Sequence, residues 1–419
     1  MDRSRAWPRT EEAIPAPPPV PASFLPPLPG QVATNPQPLR EAVFTSGKPA
    51  SGPVWPADKA GSFIRRPAGQ DNDDVFAAID LGTNNCRLMI AARVNGGFRV
   101  IDSFSRIVRL GEGLQKTGEL GEDAMVRTMD VLHACAARLG RRQPFGFRAV
   151  ATEACRRAKN GRAFIKRIHD ETGLEFEIIS GREEAELAVE SCSELLFAGL
   201  QRSASSPVSS ASSDGKPTRG LLLDIGGGST EIAWVRLDQQ KRTHDVIGYI
   251  SLPFGVITLS EQFSTRQPGN YRDMVAFVGQ HLKAFETTHR ISREILCGGV
   301  RAVGTSGTVT TLASLDLDLP RYSRCAIDGY HLGVDNARKA IARLHRMGTQ
   351  GMYVHPCIGP ERASCVMPGC AIFEAFLSLW TSDIVVADRG LRDGLLTRMM
   401  RSNGSFGARR QGCARLHRK

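Results

Sequence analysis

The sequence predicts an α/β protein built from two related domains that face each other across a cleft. Apolar strands alternate with amphipathic helices from residue 75 onward, which is the pattern of sheets covered by helices. A strand, an Asp-x-Gly turn and a second strand occur at Asp80 and again at Asp224, 144 residues further on. With 419 residues, of which 41% are hydrophobic, the chain can form two separate cores.

The secondary structure follows from hydrophobic periodicity along the chain. Alternating or continuous apolar runs predict strands, and apolar residues three and four apart predict helices. The strands are expected at 75–79, 86–94, 98–104, 147–151, 175–179, 221–223, 231–237 and 384–386. The helices are expected at 122–139, 183–197, 273–289, 308–315, 336–347 and 369–379.

Three segments fall outside this alternation. Residues 1–74 form a proline-rich arm, which we predict to be disordered because proline prevents helices and sheet ladders; 15 of the 24 prolines lie in its first 70 residues. A serine-rich stretch at 203–218 predicts a surface loop. The basic tail at 401–419 carries six basic residues and no acid, and is also expected to be disordered. The two domains are therefore assigned to residues 75–182 and 183–400.

Composition excludes several classes of protein. No window of about 18 residues is apolar and uncharged, so no membrane span is predicted, and the charged first residues argue against a secretory signal. The ten cysteines lack C-x-x-C spacing, which favours buried thiols in a reduced, cytoplasmic protein. The net charge of +11 could attract a polyanion or simply keep the tail solvated. No nucleic-acid-binding module accompanies this charge, so nucleic acid is not an expected partner.

Three glycine-rich loops are candidates for phosphate binding. Backbone N–H groups can converge on an anion where glycines permit close approach, and the last loop also precedes a predicted helix, whose N-terminus favours an anion. Any one such loop can be a simple structural turn, but three of them favour phosphate binding. The candidate residues are Gly82, Thr83, Asn84, Gly226, Gly227, Gly228, Ser229, Thr230, Gly304, Thr305, Ser306 and Gly307.

Carboxylates beside these loops are candidate catalytic groups. Phosphoryl transfer to water uses a divalent cation and a base that orients the attacking water. Asp80 and Asp224 end strands, and Glu231 follows Asp224 across the same turn, so these last two carboxylates can reach one Mg²⁺ ion. Each aspartate could instead cap its own turn.

A strand-to-helix junction after Ser180 adds the acidic pair Glu183 and Glu184. Two acids in a first helical turn commonly compensate the helix dipole, although at the mouth of a cleft one of them could act as a general base. Arg156, just beyond another strand, suits forked contacts with phosphate oxygens, and an exposed, solvated arginine is the alternative.

In six ordered motifs the chain resembles the exopolyphosphatase/guanosine pentaphosphatase (Ppx/GppA) phosphatases of the actin–Hsp70–sugar kinase superfamily. The resemblance covers roughly residues 75–400. It implies a fold of two actin-like (ribonuclease H-like) domains around a central cleft, which agrees with the repeated hairpin. The motifs lie at 78–84, 151–156, 178–185, 224–231, 304–307 and 387–394.

The resemblance implies hydrolysis of the terminal phosphoanhydride of inorganic polyphosphate, with release of orthophosphate and with Mg²⁺ as the cofactor. By position, Glu184 corresponds to the water-activating base, and Arg156 to the clamp on the terminal phosphate. Asp224 and Glu231 correspond to carboxylates that bind the metal or position the water, and the backbones of 226–229 and 304–307 to the phosphate cradle. Asp80 is a further candidate metal ligand. The chain is similar to the short form of the family, which lacks a helical C-terminal domain.

Alternatives within and beyond this enzyme class remain open. Departures from the family pattern at Asn85, Cys86, Thr305 and Asp393 remove none of the proposed catalytic groups. The same groups would serve a guanosine pentaphosphate 5′-phosphohydrolase, which converts pppGpp to ppGpp, and the sequence does not distinguish the two. A kinase of the same superfamily is a weaker alternative. A non-catalytic sensor of polyphosphate or alarmones is another, but it would not need the carboxylates of Glu184, Asp224 and Glu231. The expected partners are polyphosphate and (p)ppGpp, no membrane is expected, and a homodimer is left open.

Overall fold

The computed structural model describes residues 75–95, 97–198, 217–263 and 270–414, with side chains as far as residue 402. The proline-rich arm, residues 203–216 of the serine-rich loop and the last five residues of the basic tail lie outside the described residues. In the described part of the chain, none of the helices is long and apolar enough to cross a membrane. The nine cysteines whose side chains are described are all free thiols.

Lobe I is built on a five-stranded sheet. Its strands are β1 (Val75–Leu81), β2 (Asn85–Val94), β3 (Gly97–Ile107), β4 (Gly146–Ala151) and β5 (Phe176–Ile178). They lie in the order β3-β2-β1-β4-β5, with β1, β2 and β3 antiparallel and with β4 and β5 parallel to β1. The helices that follow these strands are α1 (Leu114–Thr117), α2 (Glu122–Arg142), α3 (Glu153–Arg157) and α4 (Gly161–Thr172).

Lobe II is built on a six-stranded sheet. Its strands are β6 (Arg219–Ile225), β7 (Thr230–Asp238), β8 (Thr243–Leu252), β9 (Val300–Thr305), β10 (His331–Leu332) and β11 (Ile384–Ala387), in the order β10-β11-β9-β6-β7-β8. Its helices are α5 (Gly181–Ser191), α6 (Ser193–Phe197), α7 (Val256–Gln262), α8 (Asn270–His289), α9 (Ile291–Leu296), α10 (Gly307–Asp316), α11 (Arg324–Ile327), α12 (Val334–Val354) and α13 (Ala363–Leu379). The last helix of the chain is α14 (Leu391–Ala414).

The two sheets share one topology, which confirms the repeat predicted from the sequence. Leaving out β10, the order β8-β7-β6-β9-β11 repeats the order β3-β2-β1-β4-β5. The irregularity in strand pairing is repeated too, because the register shifts between Ile90 and Ala91 in lobe I and between Trp234 and Val235 in lobe II. These two shifts are separated by the same 144 residues that separate Asp80 from Asp224.

The alternation of side chains along β1 and β6 places Asp80 and Asp224 on the faces of the two sheets that α14 and α5 cover. Successive residues of a strand point to opposite faces. Val75, Ala77, Ile79 and Leu81 pack against the core formed with α2 and α4, whereas Phe76 and Ala78 face the other side, where α14 packs. Asp80 shares that second face by alternation. By the same rule, Asp224 lies on the face of Leu222, which packs with α5.

Helices α5 and α14 form a double layer between the two sheets. In α14, Leu395, Leu396 and Met399 pack against the sheet of lobe I, together with Leu187 of α5. The two helices approach so closely that a Cβ atom added at Gly394 would lie 2.1 Å from the carbonyl oxygen of Leu187. Glycine at this position therefore allows the backbones to meet.

The structure differs from the sequence-based assignment in three places. The predicted helix at 183–197 divides into α5 and α6, because the chain leaves helical geometry at Cys192. Although predicted as part of the second domain, α14 packs against the sheet of lobe I, which hydrophobic pattern alone does not show. Residues 401–414 continue α14 where a disordered tail was expected, since a packed helix extends at the gain of one hydrogen bond per added residue.

Candidate active site in the interlobe cleft

The two hairpin turns of the repeat meet each other across the cleft. Each turn is closed by one backbone hydrogen bond of 2.9 Å, from Gly82 N to the Asn85 carbonyl and from Gly226 N to the Ser229 carbonyl. A Cβ atom added at Gly228 would lie 2.2 Å from the Thr83 hydroxyl oxygen, so only glycine lets these loops touch. The two loops together form one continuous wall.

The third loop closes the site from lobe II. Thr305 ends β9, and its hydroxyl donates to the carbonyl of Arg389. Ser306 has φ 134°, an unfavourable value for a residue with a side chain. Its hydroxyl oxygen accepts hydrogen bonds from the N–H groups of Thr308 (3.2 Å) and Val309 (3.3 Å), which caps α10. These capping bonds hold the strained residue beside the cleft.

All three loops and four carboxylates line one cavity of about 210 Å³. Three predicted site residues do not line it: Arg156, Thr230 and Gly304. Thr230 is fully buried and donates to the carbonyl of Phe254, and Gly304 is buried within β9. The predicted residues that line the cavity are Asp80, Gly82, Thr83, Asn84, Glu184, Asp224, Gly226, Gly227, Gly228, Ser229, Glu231, Thr305, Ser306 and Gly307.

The acidic pair at the start of α5 divides into two roles, because neighbouring helix residues point about 100° apart. Ser180 caps the helix by accepting a hydrogen bond from the N–H of Glu183. The Glu183 carboxylate accepts a 2.6 Å hydrogen bond from Arg148 of β4 in lobe I. Glu184 points into the cavity instead and is only 8% exposed.

Burial controls the charge state of Glu184. Burial raises the pKa of this carboxyl to about 8. The positive charge of Arg156 has the opposite effect and lowers this pKa. The negative charges of Asp80 and Asp224 raise this pKa further. Glu184 therefore changes its protonation state near neutral pH, and its ionised form can act as a general base.

The structure places Arg156 behind Glu184 and not on the cavity wall. Its guanidinium donates to Glu184 Oε2 (3.1 Å), to the Ile179 carbonyl (2.7 Å) and to Glu153 Oε2 (2.5 Å). These bonds tie the guanidinium to two carboxylates. In this geometry Arg156 holds the Glu184 carboxylate in position, and its role as a clamp on the terminal phosphate stays a prediction.

The remaining carboxylates gather negative charge around the cavity. Burial raises the pKa of Asp224 to about 7, and it also raises the pKa values of Asp80 and Glu231. Ser251 donates a 2.8 Å hydrogen bond to Glu231 Oε1, which fixes this side chain. Several carboxylates with raised pKa values in one cleft are typical of a catalytic site or of a site that binds a cation.

The three predicted metal ligands do not form a preformed metal site. In the described residues, no three His, Cys, Asp or Glu side chains are grouped closely enough to hold a metal ion. Mg²⁺ nevertheless commonly binds through one or two carboxylates, with water and substrate phosphates completing its shell. Asp80, Asp224 and Glu231 line the same cavity, and their oxygen donors fit Mg²⁺ held partly by substrate.

Sequence reasoning missed three arginines that line the cavity: Arg87, Arg362 and Arg389. The signal for Arg87 was present, because it lies seven residues after Asp80, as Glu231 does after Asp224. The N-terminus of α14 lies at the cavity, because Arg389 and Leu391 line it. The N-termini of α5 and α10 lie there too. Helix N-termini attract anions, so the cleft combines acidic and anion-binding groups.

Comparison with known proteins agrees with this geometry. Over 334 residues the chain is 28% identical to the guanosine-5′-triphosphate,3′-diphosphate pyrophosphatase of Photobacterium profundum. The match covers 78% of this chain but only 59% of the length of that relative.

Solved structures show the same fold. The Ppx/GppA family member of Aquifex aeolicus is 26% identical with a TM-score of 0.62, over 79% of this chain and 98% of that one. An exopolyphosphatase of Cytophaga hutchinsonii is 23% identical with a TM-score of 0.66, over 78% of this chain and 98% of that one. These matches confirm the predicted actin-like fold. The Ppx/GppA phosphatase family model matches residues 89–202 and 206–403, and the chain therefore belongs to the Ppx/GppA phosphatase family.

Proposed function

We propose that this protein hydrolyses the terminal phosphoanhydride of inorganic polyphosphate and releases orthophosphate. The observation that carries the proposal is that Glu184 lies in one cavity with three glycine loops. The loops supply N–H groups for phosphate oxygens, and Glu184 supplies a base. A cavity of about 210 Å³ accommodates the end of a polyphosphate chain rather than its whole length.

The reaction follows from these positions. The terminal phosphate lies against the loops and the helix N-termini, which stabilise the charge that the reaction redistributes. Glu184 takes a proton from a water molecule as the water oxygen bonds to the terminal phosphorus. The bond from that phosphorus to the bridging oxygen breaks, and the bridging oxygen leaves with the electron pair on the shortened chain.

Mg²⁺ is the proposed cofactor. The carboxylates of Asp80, Asp224 and Glu231 would hold it, and their oxygen chemistry supports this choice. When bound, it would neutralise phosphate charge and thereby lower the barrier to transfer. Arg156 keeps the Glu184 carboxylate in place through its hydrogen bond of 3.1 Å.

A second candidate substrate is guanosine pentaphosphate. The observation in its favour is the likeness to the Photobacterium profundum protein, whose name describes it as a guanosine-5′-triphosphate,3′-diphosphate pyrophosphatase. Its 5′-triphosphate end presents the same kind of terminal phosphoanhydride to the loops. A cytoplasmic location and a homodimer stay predictions.

The deciding experiment measures orthophosphate release by the purified chain from polyphosphate and from guanosine pentaphosphate, each with Mg²⁺ and with EDTA. We expect Mg²⁺-dependent release, with the higher kcat/KM identifying the preferred substrate. Glu184→Gln serves as the inactive control. Binding of both compounds without any release would show a sensor and reject hydrolysis.

A further inference from the structure

The start of α7 is hydrogen-bonded to the backbone of the glycine loop between β6 and β7. Val256 N donates a 3.0 Å hydrogen bond to the Gly226 carbonyl, and Ile257 N donates one of 2.9 Å to the Gly227 carbonyl. Thr230, which follows the loop, donates a 2.9 Å hydrogen bond to a carbonyl just before α7. The first two carbonyl groups of the loop are therefore turned towards α7.

These bonds fix the direction of two N–H groups of the loop. In a planar trans peptide the N–H points opposite to the carbonyl of the same peptide, and the described residues contain no cis peptide bond. The N–H groups of Gly227 and Gly228 therefore point away from α7. Both glycines line the cavity, and neither N–H has an acceptor among the described residues. Because an enclosed N–H without an acceptor is costly, these two groups are suited to bind an oxygen atom of a ligand.

Thr258 holds the start of α7 against the loop. Its hydroxyl oxygen accepts a 2.8 Å hydrogen bond from Gly255 N and lies 3.4 Å from the carbonyl oxygens of Gly228 and Gly255. Thr258 is only 4% exposed, so bulk water has little access to these contacts. A Cβ atom added at Gly255 would lie 2.3 Å from the Gly226 carbonyl oxygen, so this segment and the loop are packed backbone to backbone.

Lobe I repeats this backbone support. Gly111 follows β3 as Gly255 follows β8, and the two glycines are separated by the same 144 residues as the hairpins. Gly111 N donates a 2.9 Å hydrogen bond to the Thr83 carbonyl, and a Cβ atom added at Gly111 would lie 2.2 Å from Thr83 Cγ2. The support of the glycine loop by the chain after the third strand therefore belongs to the repeated fold.

We propose that Thr258 is a positioning residue for phosphoryl transfer, which aims the N–H groups of Gly227 and Gly228 at the terminal phosphate through the start of α7. This inference rests on the proposed hydrolytic function. Thr258 itself is not one of the residues that line the cavity, so it acts only through the loop. Donors that are fixed in advance favour the transition state, so an error in their direction lowers kcat more than it weakens substrate binding.

The test removes the hydroxyl of Thr258 and keeps the shape of the side chain. The values of kcat and KM for tripolyphosphate are measured with Mg²⁺ for the wild type, Thr258→Val and Thr258→Ser, and thermal melting checks that each variant folds. We expect kcat to fall about tenfold to hundredfold in Thr258→Val, with KM changed by less than about threefold. Thr258→Ser keeps the hydroxyl and should regain most of the wild-type kcat.

Thr128→Val is the matched control. Thr128 is also a buried threonine, and its hydroxyl donates to the Ala124 carbonyl within α2, away from the cavity lining. This variant should lose some thermal stability and keep the wild-type kcat. A wild-type kcat in Thr258→Val would overturn the assignment, as would an equal loss of kcat in Thr258→Ser or in Thr128→Val.

A second measurement reports on the two N–H groups without catalysis. Nuclear magnetic resonance follows the amide protons of Gly227 and Gly228 while tripolyphosphate is added. We expect downfield shifts in the wild type and smaller shifts in Thr258→Val. If the wild type releases no orthophosphate, the proposed function fails and these shifts decide the positioning role alone, with equal shifts in the two proteins rejecting it.

Discussion

Arg87 and Glu231 occupy the same position in the two halves of the repeat. Arg87 pairs across its hairpin with Asp80, and Glu231 pairs across its hairpin with Asp224. Both residues line the cavity, so equivalent backbones present a cation from lobe I and an anion from lobe II. The symmetric fold therefore carries an asymmetric site, with one side suited to phosphate and the other to a cation or a polarised water.

This asymmetry predicts different kinetic effects for the two residues. Arg87→Ala removes one charge-assisted contact to phosphate and should raise KM for polyphosphate about tenfold or more, with a smaller effect on kcat. Glu231→Gln should mainly lower kcat, because it removes a charge from the catalytic side. Steady-state kinetics of both variants test this split, and an exchange of the two patterns would contradict the assignment.

Glu184→Gln tests the proposed base. The amide keeps the shape of the side chain but cannot accept the proton, so kcat should fall by about 10²–10⁴-fold while polyphosphate binding is retained. Glu183→Gln is the matched control, because the carboxylate of Glu183 pairs with Arg148 outside the cavity. This variant should keep most of the activity. Parallel loss of binding in Glu184→Gln would indicate a structural residue instead.

The raised pKa of Glu184 also predicts how stability depends on pH. The carboxyl has a pKa of about 8 in the folded protein and an ordinary value of 4.5. The folded state therefore binds the proton more tightly, and its stabilising contribution is complete below the ordinary pKa and is lost as pH rises towards 8. Glu184→Gln cannot ionise, so without Mg²⁺ it should exceed the wild type in free energy of unfolding by roughly 2–4 kcal/mol at pH 8.

Urea unfolding in EDTA at pH 5 and pH 8 measures this difference. The gap between the variant and the wild type should widen from the lower to the higher pH. A constant gap would show that the ionisation of Glu184 is not what separates them.

Arg156 should act on the pH profile of the reaction through Glu184. Its positive charge lowers the pKa of Glu184, so Arg156→Gln should move the acidic limb of the kcat profile upward by about one pH unit. Arg156→Lys keeps the charge and should restore most of the wild-type profile. An unshifted limb combined with a large rise in KM would instead support a phosphate clamp.

The contact between α5 and α14 predicts a cost to stability at one glycine. In Gly394→Ala the new methyl group would meet the Leu187 carbonyl, so the helices must separate, at a cost of roughly 1–3 kcal/mol. Gly279→Ala in α8 is the matched control, because nothing lies within 4 Å of the added atom. That control should stabilise the protein by about 0.5–1 kcal/mol through helix propensity. Denaturant midpoints measure both, and an unchanged midpoint in Gly394→Ala would contradict the close packing.

Local patterns predicted the fold class and most of the residues that line the candidate site. The apolar runs gave β1 and β6, and the glycines after Asp80 and Asp224 gave the turns that bring N–H groups to the cleft. The same patterns failed to show the hydrogen bond from Arg156 to Glu184, which joins residues 28 apart in the chain. They also failed for α14, whose apolar residues fit either lobe until the sheets are in place.

The sequence by itself determined the elements, the repeated hairpin and the residue types able to bind phosphate, because turns and strand alternation depend on neighbouring residues. Only the tertiary structure decided that Glu184 faces the cavity while Glu183 does not, and that Arg87 and Glu231 line the same cavity. It also brought the start of α7 against the glycine loop after Asp224. These relations depend on long-range packing, which sets burial and charge environment and has no counterpart in local sequence pattern.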